Sequence, residues 1–220
     1  LAVFATVGET EHAVGADGRS RLPILAIDHP TDLSVEALRS LRTSLHFGLL
    51  DAKTRSVLIT SAAPEAGKSF TAVNLAVVSA QAGQRVCLID ADLRKGYINQ
   101  YFGLARGPGL SELIAGSKTF DEVVQRSVAP GVDLIPTGAL PPNPGELLLS
   151  PVTVQLVQTL STQYDLVIID TPPVLAVSDT QVLAPVAGTV FLIAKANVTA
   201  IGEIHESVKR LQQSGVTVKG

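Results

Sequence analysis

Residues 56–70, SVLITSAAPEAGKSF, combine an apolar run with a small-residue turn and the triplet Gly67-Lys68-Ser69. The order of these parts, a buried strand, a turn and a helix opened by the triplet, is that of a phosphate-binding P-loop. Backbone N–H groups in such a turn converge on a phosphate, and the helix dipole and the lysine add positive charge. The pattern predicts a nucleotide site that contacts the loop residues Ala63, Pro64, Glu65, Ala66, Gly67, Lys68, Ser69 and Phe70.

The loop departs at one position from the common G-x-x-x-x-G-K-[ST] pattern, because Ala62 replaces the first glycine. A small residue there still permits close approach of the backbone to a ligand. We expect Lys68 to contact the β and γ phosphates of ATP and the Ser69 hydroxyl to hold Mg²⁺. Gly-Lys-Ser alone is a weak signal, but between a buried strand and a helix it is a strong one.

Two carboxylates follow a second apolar run in VCLIDADLR, residues 86–94. Asp90 and Asp92 are two positions apart in an extended segment, so their side chains are expected on one side. Such a pair can simply cap the next turn or bind arginine, and Arg94 could equally form a structural ion pair or orient a carboxylate or phosphate. Two like charges at a strand end cost free energy unless a cation offsets them, and bound Mg·ATP would supply that offset.

A third run, LVIIDTPP at residues 166–173, is typical of a Walker B strand, in which Asp170 holds Mg²⁺ directly or through water. An aspartate at the end of an apolar strand is common and often only caps a turn. A P-loop followed by two acidic strand ends in this order nevertheless favours a nucleotide site. Its predicted metal ligands are Ser69, Asp90 and Asp170.

Helices and strands alternate through most of the chain. Apolar runs predict strands near residues 55–60, 85–89, 132–136, 165–169 and 189–195, and helical periodicity predicts helices near 69–82, 145–160 and 199–214, while residues 116–128 stay ambiguous. Continuous apolar strands suit a mostly parallel sheet covered by helices on both faces. We therefore predict an α/β, P-loop NTPase-like fold whose ligands bind outside the carboxyl ends of the strands.

A further helix is predicted from residue 34 to about residue 50, with Ser34 as its N-cap and apolar residues at helical spacing. Glu36, Arg39 and Arg42 fall three apart on one of its sides. From the residues alone, they are a solvated charged face with an i,i+3 ion pair.

The composition limits the class of protein. A chain of 220 residues with 46% hydrophobic residues can bury one sizeable core, and its net charge of −3 gives no basic field for nucleic acid. The single cysteine, Cys87, excludes a disulfide framework and a cysteine-based metal site and favours a reducing compartment. We expect residues 1–21 to be a linker or flexible arm and residues 22–220 to be one P-loop domain without a membrane-spanning run.

Several stretches together resemble one family. They are the P-loop with Pro64, the apolar run into Asp90-Ala-Asp92-Leu-Arg94, the Asp170-Thr-Pro-Pro strand end, the segment Glu36-Ala-Leu-Arg39-Ser-Leu-Arg42, and LIPTGALPPNPGELL at residues 134–148. From about residue 28 to its end, the chain looks like the cytoplasmic domain of bacterial tyrosine kinases of the Wzc-type polysaccharide co-polymerase family.

The resemblance implies in-line transfer of a phosphoryl group from Mg·ATP to a tyrosine hydroxyl, with Lys68, Asp90 and Asp92 as catalytic residues. Asp90 would lie nearest the reacting phosphate, where it accepts the tyrosine proton or supports the metal, and Asp92 is the second candidate for that role. In this family the E-x-x-R-x-x-R helix associates subunits into rings. The resemblance thus implies an oligomer interface at Glu36, Arg39 and Arg42.

Switch ATPases of the MinD and ParA type are the alternative. They have an additional signature lysine early in the P-loop, where this chain has Ala63. In that alternative, Asp90 or Asp92 would position water, and ATP would control dimerisation without tyrosine transfer.

Three tyrosines are present, Tyr97, Tyr101 and Tyr164, whereas kinases of this family phosphorylate a C-terminal tyrosine cluster. We expect that cluster to lie beyond the end of this sequence. Tyr97 follows Arg-Lys-Gly, and in relatives the tyrosine after this triplet is a regulatory phosphorylation site. Tyr97 is either such a site or simply a partly buried aromatic residue in a loop. Those relatives often have arginine where this chain has Thr137, which offers one hydrogen bond and no charge to a phosphate.

The same resemblance implies a setting and a set of partners. We expect an upstream membrane-spanning region of the same protein, a position on the cytoplasmic face of the bacterial inner membrane, and a role in export or chain-length control of extracellular polysaccharide. The expected partners are other copies of the chain, the tyrosine-rich tail of a neighbouring subunit, the polysaccharide export machinery and a tyrosine phosphatase, with no nucleic acid.

Overall fold

The computed structural model describes residues 1–9, 21–49 and 52–220. One six-stranded sheet has the order β3-β4-β2-β5-β1-β6, and its pairs are parallel except for the antiparallel β3–β4 edge. The predicted P-loop NTPase-like, mostly parallel sheet is therefore confirmed. Its strands are β1 Ser56–Ser61, β2 Val86–Asp90, β3 Gln125–Ala129, β4 Val132–Ile135, β5 Leu166–Asp170 and β6 Thr189–Ile193.

Helices cover both faces of the sheet. One core cluster joins α1, α2 and α3 to the strands, and a second joins α4 to α9 to the opposite face. Every residue of β1, β2 and β5 is buried, which explains why these strands are continuous apolar runs. The helices are α1 Leu25–Asp28, α2 Leu33–Gly48, α3 Lys68–Gln81, α4 Leu110–Ile114, α5 Phe120–Val123, α6 Pro144–Leu148, α7 Pro151–Gln163, α8 Asp179–Leu183 and α9 Ile201–Gln213, with 3₁₀ turns at Ile98–Phe102 and Ala184–Val186.

The register of the sheet brings the three predicted chemical stretches together. β5 lies between β1 and β2, with Asp170 opposite Ile59 on one side and opposite Asp90 on the other. All three strands are parallel, so the P-loop and both aspartates lie at the same end of the sheet, where the strands have their carboxyl ends.

The start of α2 differs from the prediction. Asp32, not Ser34, is the N-cap, and its carboxylate accepts a hydrogen bond from the Ser34 N–H at 2.8 Å. The Ser34 hydroxyl instead donates to the carbonyl of Gly8 at 3.1 Å. An aspartate two residues earlier offers the stronger, charged acceptor for the first turn. The helix ends at Gly48. Residue 50, near which its end was predicted, lies outside the described residues.

The single helix predicted over residues 145–160 is two helices. Ser150 has the extended backbone that a residue before proline prefers, and its hydroxyl caps α7 at the Val152 N–H. Pro151 then occupies the first position of α7, where its missing N–H costs nothing. The ambiguous residues 116–128 contain α5 and all but the last residue of the antiparallel edge strand β3.

Residues 1–9 form no helix or strand, and the remainder of the predicted arm up to residue 20 lies outside the described residues. The Phe4 ring packs against Phe191 with 5.4 Å between centroids, and Lys195 pairs with Glu9 at 3.2 Å. Within the described ranges, no helix combines the length and the apolar character needed to cross a membrane.

Candidate functional site

The loop between β1 and α3 has the backbone of an anion-binding turn. Glu65 and Gly67 have positive φ angles of 62° and 89°, and they alternate with residues of ordinary backbone. No described residue accepts a hydrogen bond from the backbone N–H of Glu65, Ala66 or Gly67. Alternating left-handed residues direct successive N–H groups to one concave side, so this turn is built to receive an anion.

Lys68 and Ser69 open α3 directly below this turn, and both are buried. The Ser69 hydroxyl donates a hydrogen bond of 2.5 Å to Oδ2 of Asp170. Of the other predicted loop residues, Pro64 and Glu65 are exposed at the mouth of the loop. The Phe70 side chain is partly buried and packs against the first core cluster.

Asp170 ends β5 with one free oxygen. Its side chain is almost fully buried, and its Oδ1 has no hydrogen-bond partner among the described residues. Burial raises the pKa of Asp170 to about 7; the nearby Lys68 charge opposes that rise and Asp90 adds to it. A buried carboxylate oxygen without a partner is costly, and a bound cation would satisfy it.

Asp90 ends β2 beside Asp170 and is equally buried. It accepts hydrogen bonds from the N–H of Ile98 at 2.9 Å and of Asp92 at 3.3 Å. Burial raises the pKa of Asp90 to about 6, although the Ile98 hydrogen bond lowers it. Gly96 lies against this carboxylate, since an added Cβ would come within 2.6 Å and 2.7 Å of its two oxygens and overlap the Thr137 hydroxyl.

Asp92 lies close to both aspartates but is engaged in the turn that follows β2. Its Oδ1 accepts hydrogen bonds from the N–H groups of Arg94 at 3.2 Å and Lys95 at 2.9 Å. Its negative charge raises the pKa of Asp90 and Asp170. The sequence left open whether Asp92 caps a turn or adds its charge to a cation site. The structure shows the turn cap, and it also places the Asp92 charge near the other two carboxylates.

The oxygen donors at this site suit Mg²⁺, which shares its ligands between protein, water and phosphate, better than they suit a metal held by protein side chains alone. In the described part of the chain, no three His, Cys, Asp or Glu side chains are close enough to hold a metal by themselves. Mg²⁺ typically takes one or two protein oxygens and completes its shell with water and phosphate. Ser69 and the unpaired oxygen of Asp170 are such a pair of donors.

Arg94 forms the structural ion pair that was one of its two predicted alternatives. Its Nε and Nη2 contact the two carboxylate oxygens of Asp179 at 2.8 Å and 3.0 Å, and Asp179 is fully buried at the start of α8. Asp179 was not among the predicted site residues. No spacing rule in the sequence connects two residues 85 positions apart.

Glu112 is a second residue that the sequence did not single out. Its carboxylate accepts hydrogen bonds from the N–H groups of Gly109 at 2.8 Å and Ala139 at 3.0 Å. The backbone of Leu110 also donates to the carbonyl of Pro136 at 2.8 Å. These contacts hold the loop that follows β4, so part of the 134–148 segment is explained by structure rather than by chemistry.

The remaining predicted residues lie around the site. Tyr97 is 37% exposed and stacks on the buried Tyr101 with 6.1 Å between ring centroids. On α2, Glu36 and Arg39 form an exposed ion pair. Arg42 instead donates to the carbonyl of Val78 in α3 at 2.9 Å, so it joins two helices of the same chain.

A P-loop, two aspartate-tipped neighbouring strands and a parallel sheet define a P-loop nucleotide-binding domain. A family profile described as "AAA domain" matches residues 57–217. The chain is 49% identical to EpsB of Ralstonia solanacearum over its whole length and 45% identical to the tyrosine-protein kinase etk of Escherichia coli K12 over 90% of its length. It spans less than a third of these curated relatives, 30% and 27% of their lengths.

Solved structures narrow the class. The kinase domain of Escherichia coli tyrosine kinase ETK has a TM-score of 0.93 and 42% identity, with 100% of this chain and 88% of that chain covered. The cell division ATPase MinD of Pyrococcus furiosus has a TM-score of 0.64 and 19% identity over 76% of this chain and 70% of that one, which shows a shared fold alone. The chain belongs to the AAA domain family and, within it, to the bacterial tyrosine kinase domains, as the sequence resemblance predicted.

Proposed function

We propose that this domain transfers the γ-phosphoryl group of ATP to tyrosine hydroxyls, including tyrosines of its own protein. The observation that supports a phosphoryl-transfer site most directly is the Ser69–Asp170 hydrogen bond beside an unpaired Asp170 oxygen. It joins the P-loop helix to a neighbouring strand end at the point where a nucleotide's metal would bind.

Phosphate binding falls to the loop and the first turn of α3. The unpaired N–H groups of residues 65–67 would donate to phosphate oxygens, and the N-terminus of α3 adds its dipole. Lys68 is buried beside Asp170, so its charge is little screened by water and would stabilise negative charge that develops on the transferred group.

Metal binding falls to Ser69 and Asp170, with Asp90 one strand away. Mg²⁺, when bound, neutralises phosphate charge as the phosphoryl group is transferred. The Asp170 carboxylate, whose pKa burial raises to about 7, would be held ionised by the cation.

Asp90 is the proposed acceptor of the tyrosine proton. A general base works best when its pKa lies near the working pH, and burial raises the pKa of Asp90 to about 6. Asp92 is proposed to support this residue by ordering the turn, since its N–H donates to Asp90 and its carboxylate caps the turn. By family resemblance, Asp92 is also the second candidate for the base.

The decisive experiment separates transfer from hydrolysis. Incubation with γ-labelled ATP and Mg²⁺, in the presence of a tyrosine-rich peptide, is expected to label tyrosine, which mass spectrometry would map. Lys68→Met should abolish labelling, whereas Lys118→Met, in the exposed bend between α4 and α5, should not. Release of free phosphate without labelled tyrosine would instead favour a MinD-like switch ATPase.

Self-association through α2 is a further part of the proposal. Leu33 and Phe47 lie fourteen residues apart on this helix and are 85% and 66% exposed, with the exposed Glu36–Arg39 pair between them. An exposed helix face with apolar ends and a central ion pair is suited to a neighbouring subunit with complementary groups. A closed ring of copies is the proposed assembly.

The wider setting rests on family resemblance. We propose a position on the cytoplasmic face of the inner membrane, downstream of a membrane-spanning region of the same protein, with a tyrosine-rich tail that enters the neighbouring subunit's site. Polysaccharide export proteins and a tyrosine phosphatase would be its partners. Tyr97, exposed beside the Asp90 turn, is the proposed regulatory phosphorylation site.

A further inference from the structure

Two arginine–aspartate pairs bracket the central strands β2 and β5, one pair at each end. Before the strands, Arg85 contacts Asp165 through Nε and Nη2 at 3.2 Å and 3.1 Å. After the strands, Arg94 contacts Asp179 through the same two nitrogens at 2.8 Å and 3.0 Å. The two pairs have the same chemistry, but the second lies at the edge of the sheet that holds the site.

The pairs differ in burial. The side chains of Arg85 and Asp165 are 67% and 34% exposed, which is the setting in which an ion pair contributes little. Asp179 is 0% exposed, and within the described ranges Arg94 is the sole side chain that donates to its carboxylate. The Arg94 side chain is 42% exposed, but a buried carboxylate depends strongly on its partner, so loss of Arg94 should cost Asp179 more than loss of Arg85 costs Asp165.

The pair connects the two acidic strand ends. On one side, the backbone N–H of Arg94 is held by the Asp92 carboxylate in the turn that follows Asp90. On the other side, Asp179 is followed by Thr180, whose hydroxyl donates to the carbonyl of Pro172 at 2.6 Å. Pro172 is two residues beyond Asp170, so the contacts run from one aspartate-bearing loop to the other.

We propose that Arg94 and Asp179 form a clamp that sets the position of the Asp92 turn relative to Asp170. Arg94 is then a positioning residue and not a phosphate ligand. The guanidinium presents its Nε and Nη2 edge to the carboxylate, so this edge is not available for a bidentate contact with phosphate. The inference rests on the proposed function in one respect, that this edge of the sheet binds nucleotide.

The test is a pair of double-mutant cycles. One cycle comprises Arg94→Gln, Asp179→Asn and the double variant, and the control cycle comprises Arg85→Gln, Asp165→Asn and their double variant. Each protein is assayed for thermal unfolding, for affinity for a fluorescent ATP analogue with and without Mg²⁺, and for kcat and KM of ATP turnover.

Misplacement of the Asp92 turn should lower kcat by about 10- to 100-fold in each single variant and raise the Mg²⁺ concentration needed for half-maximal turnover. Affinity for the nucleotide without Mg²⁺ should stay within about threefold, since the P-loop is untouched. The kcat of the double variant should be no lower than that of the less active single variant, because both substitutions remove the same interaction. The control cycle should leave kcat within about threefold.

A loss of metal-free nucleotide affinity in Arg94→Gln alone would assign the arginine to phosphate and overturn the clamp. Multiplicative losses of kcat, or an equal loss in the control cycle, would also overturn it. Should Arg94→Gln fail to fold, Arg94→Lys keeps the charge without the two-pronged contact and should show the same loss of kcat with a smaller loss of thermal stability. If the proposed kinase function is wrong, the wild-type protein will hydrolyse ATP without labelling tyrosine. Both double-mutant cycles can still be interpreted in that case, because they measure ATP turnover.

Discussion

The Ser69 hydroxyl oxygen lies 2.5 Å from Oδ2 of Asp170, although 101 residues separate them in the chain. The contact exists because β1 and β5 are parallel neighbours, so the helix after one strand begins beside the end of the other. It leaves the second Asp170 oxygen buried and unpaired among the described residues.

Ser69→Ala should weaken the Mg²⁺-dependent part of ATP affinity by at least about tenfold, because the proposed hydroxyl donor to the metal is lost. It should also lower the stability of the metal-free protein by about 1–3 kcal/mol, since Asp170 loses its hydrogen-bond donor. Isothermal titration with and without Mg²⁺ and chemical unfolding would measure both effects.

Ser79→Ala is the matched control for that measurement. Ser79 is buried on the same helix, and its hydroxyl has no hydrogen-bond partner among the described residues. Equal Mg²⁺ dependence in Ser69→Ala and the wild type would contradict the metal assignment.

Gly96→Ala should reduce phosphoryl transfer by at least about tenfold, because the added Cβ would overlap the Thr137 hydroxyl and press on both Asp90 oxygens. We also expect a loss of about 1–3 kcal/mol of stability from overpacking. Gly202→Ala, in α9 with no atom within 4 Å of an added Cβ, should be neutral or stabilising by up to about 1 kcal/mol. Full activity in Gly96→Ala would show that Asp90 need not hold its observed position.

The sequence was sufficient for the strands that matter and insufficient for the contacts between their loops. Strands such as β2 and β5 are buried on both faces, so each is a continuous apolar run that ends in aspartate. The Arg94–Asp179 pair depends on how the short helix α8 packs after β5, which no local periodicity encodes. The break before Pro151 was missed by the prediction of one helix over residues 145–160, although the local restriction on a residue preceding proline is a signal that could have found it.

The stability of the metal-free protein should fall as the pH rises from about 4 to about 7. Asp90 and Asp170 have pKa values of about 6 and about 7 in the fold, above the ordinary value of 3.8, so the unfolded chain releases these protons at lower pH than the folded chain does. Below both ranges all forms are protonated and this contribution to folding is fully present.

Asp170→Asn isolates the effect, because it removes one of the two raised carboxyl groups. In EDTA, its unfolding temperature should decline less between pH 4.5 and pH 7.5 than that of the wild type, and Mg·ADP should reduce the wild-type decline. Parallel pH curves for the two proteins would count against the raised pKa of Asp170.

Tyr97→Phe should lower autophosphorylation by less than about tenfold in a protein that includes its tyrosine-rich tail, because Thr137 offers a phosphate at most one neutral hydrogen bond. Tyr164→Phe is the control, since Tyr164 precedes β5 at the end of the sheet away from the site, where its hydroxyl donates to Asp133. A loss of 100-fold or more in Tyr97→Phe alone would contradict this prediction and would mean that a cationic side chain elsewhere, rather than the neutral Thr137, recognises the phosphate.

Arg39→Ala should weaken self-association by at least about tenfold while it leaves the fold intact, because its partner Glu36 is exposed and such a pair adds little within one chain. Arg42→Ala should weaken association and also lower the unfolding temperature, since Arg42 donates to Val78 in the same chain. Lys118→Ala breaks an equally exposed pair with Glu122 and should change neither. Sedimentation at matched concentrations would decide: equal masses for Arg39→Ala and the wild type would place the interface elsewhere than on α2.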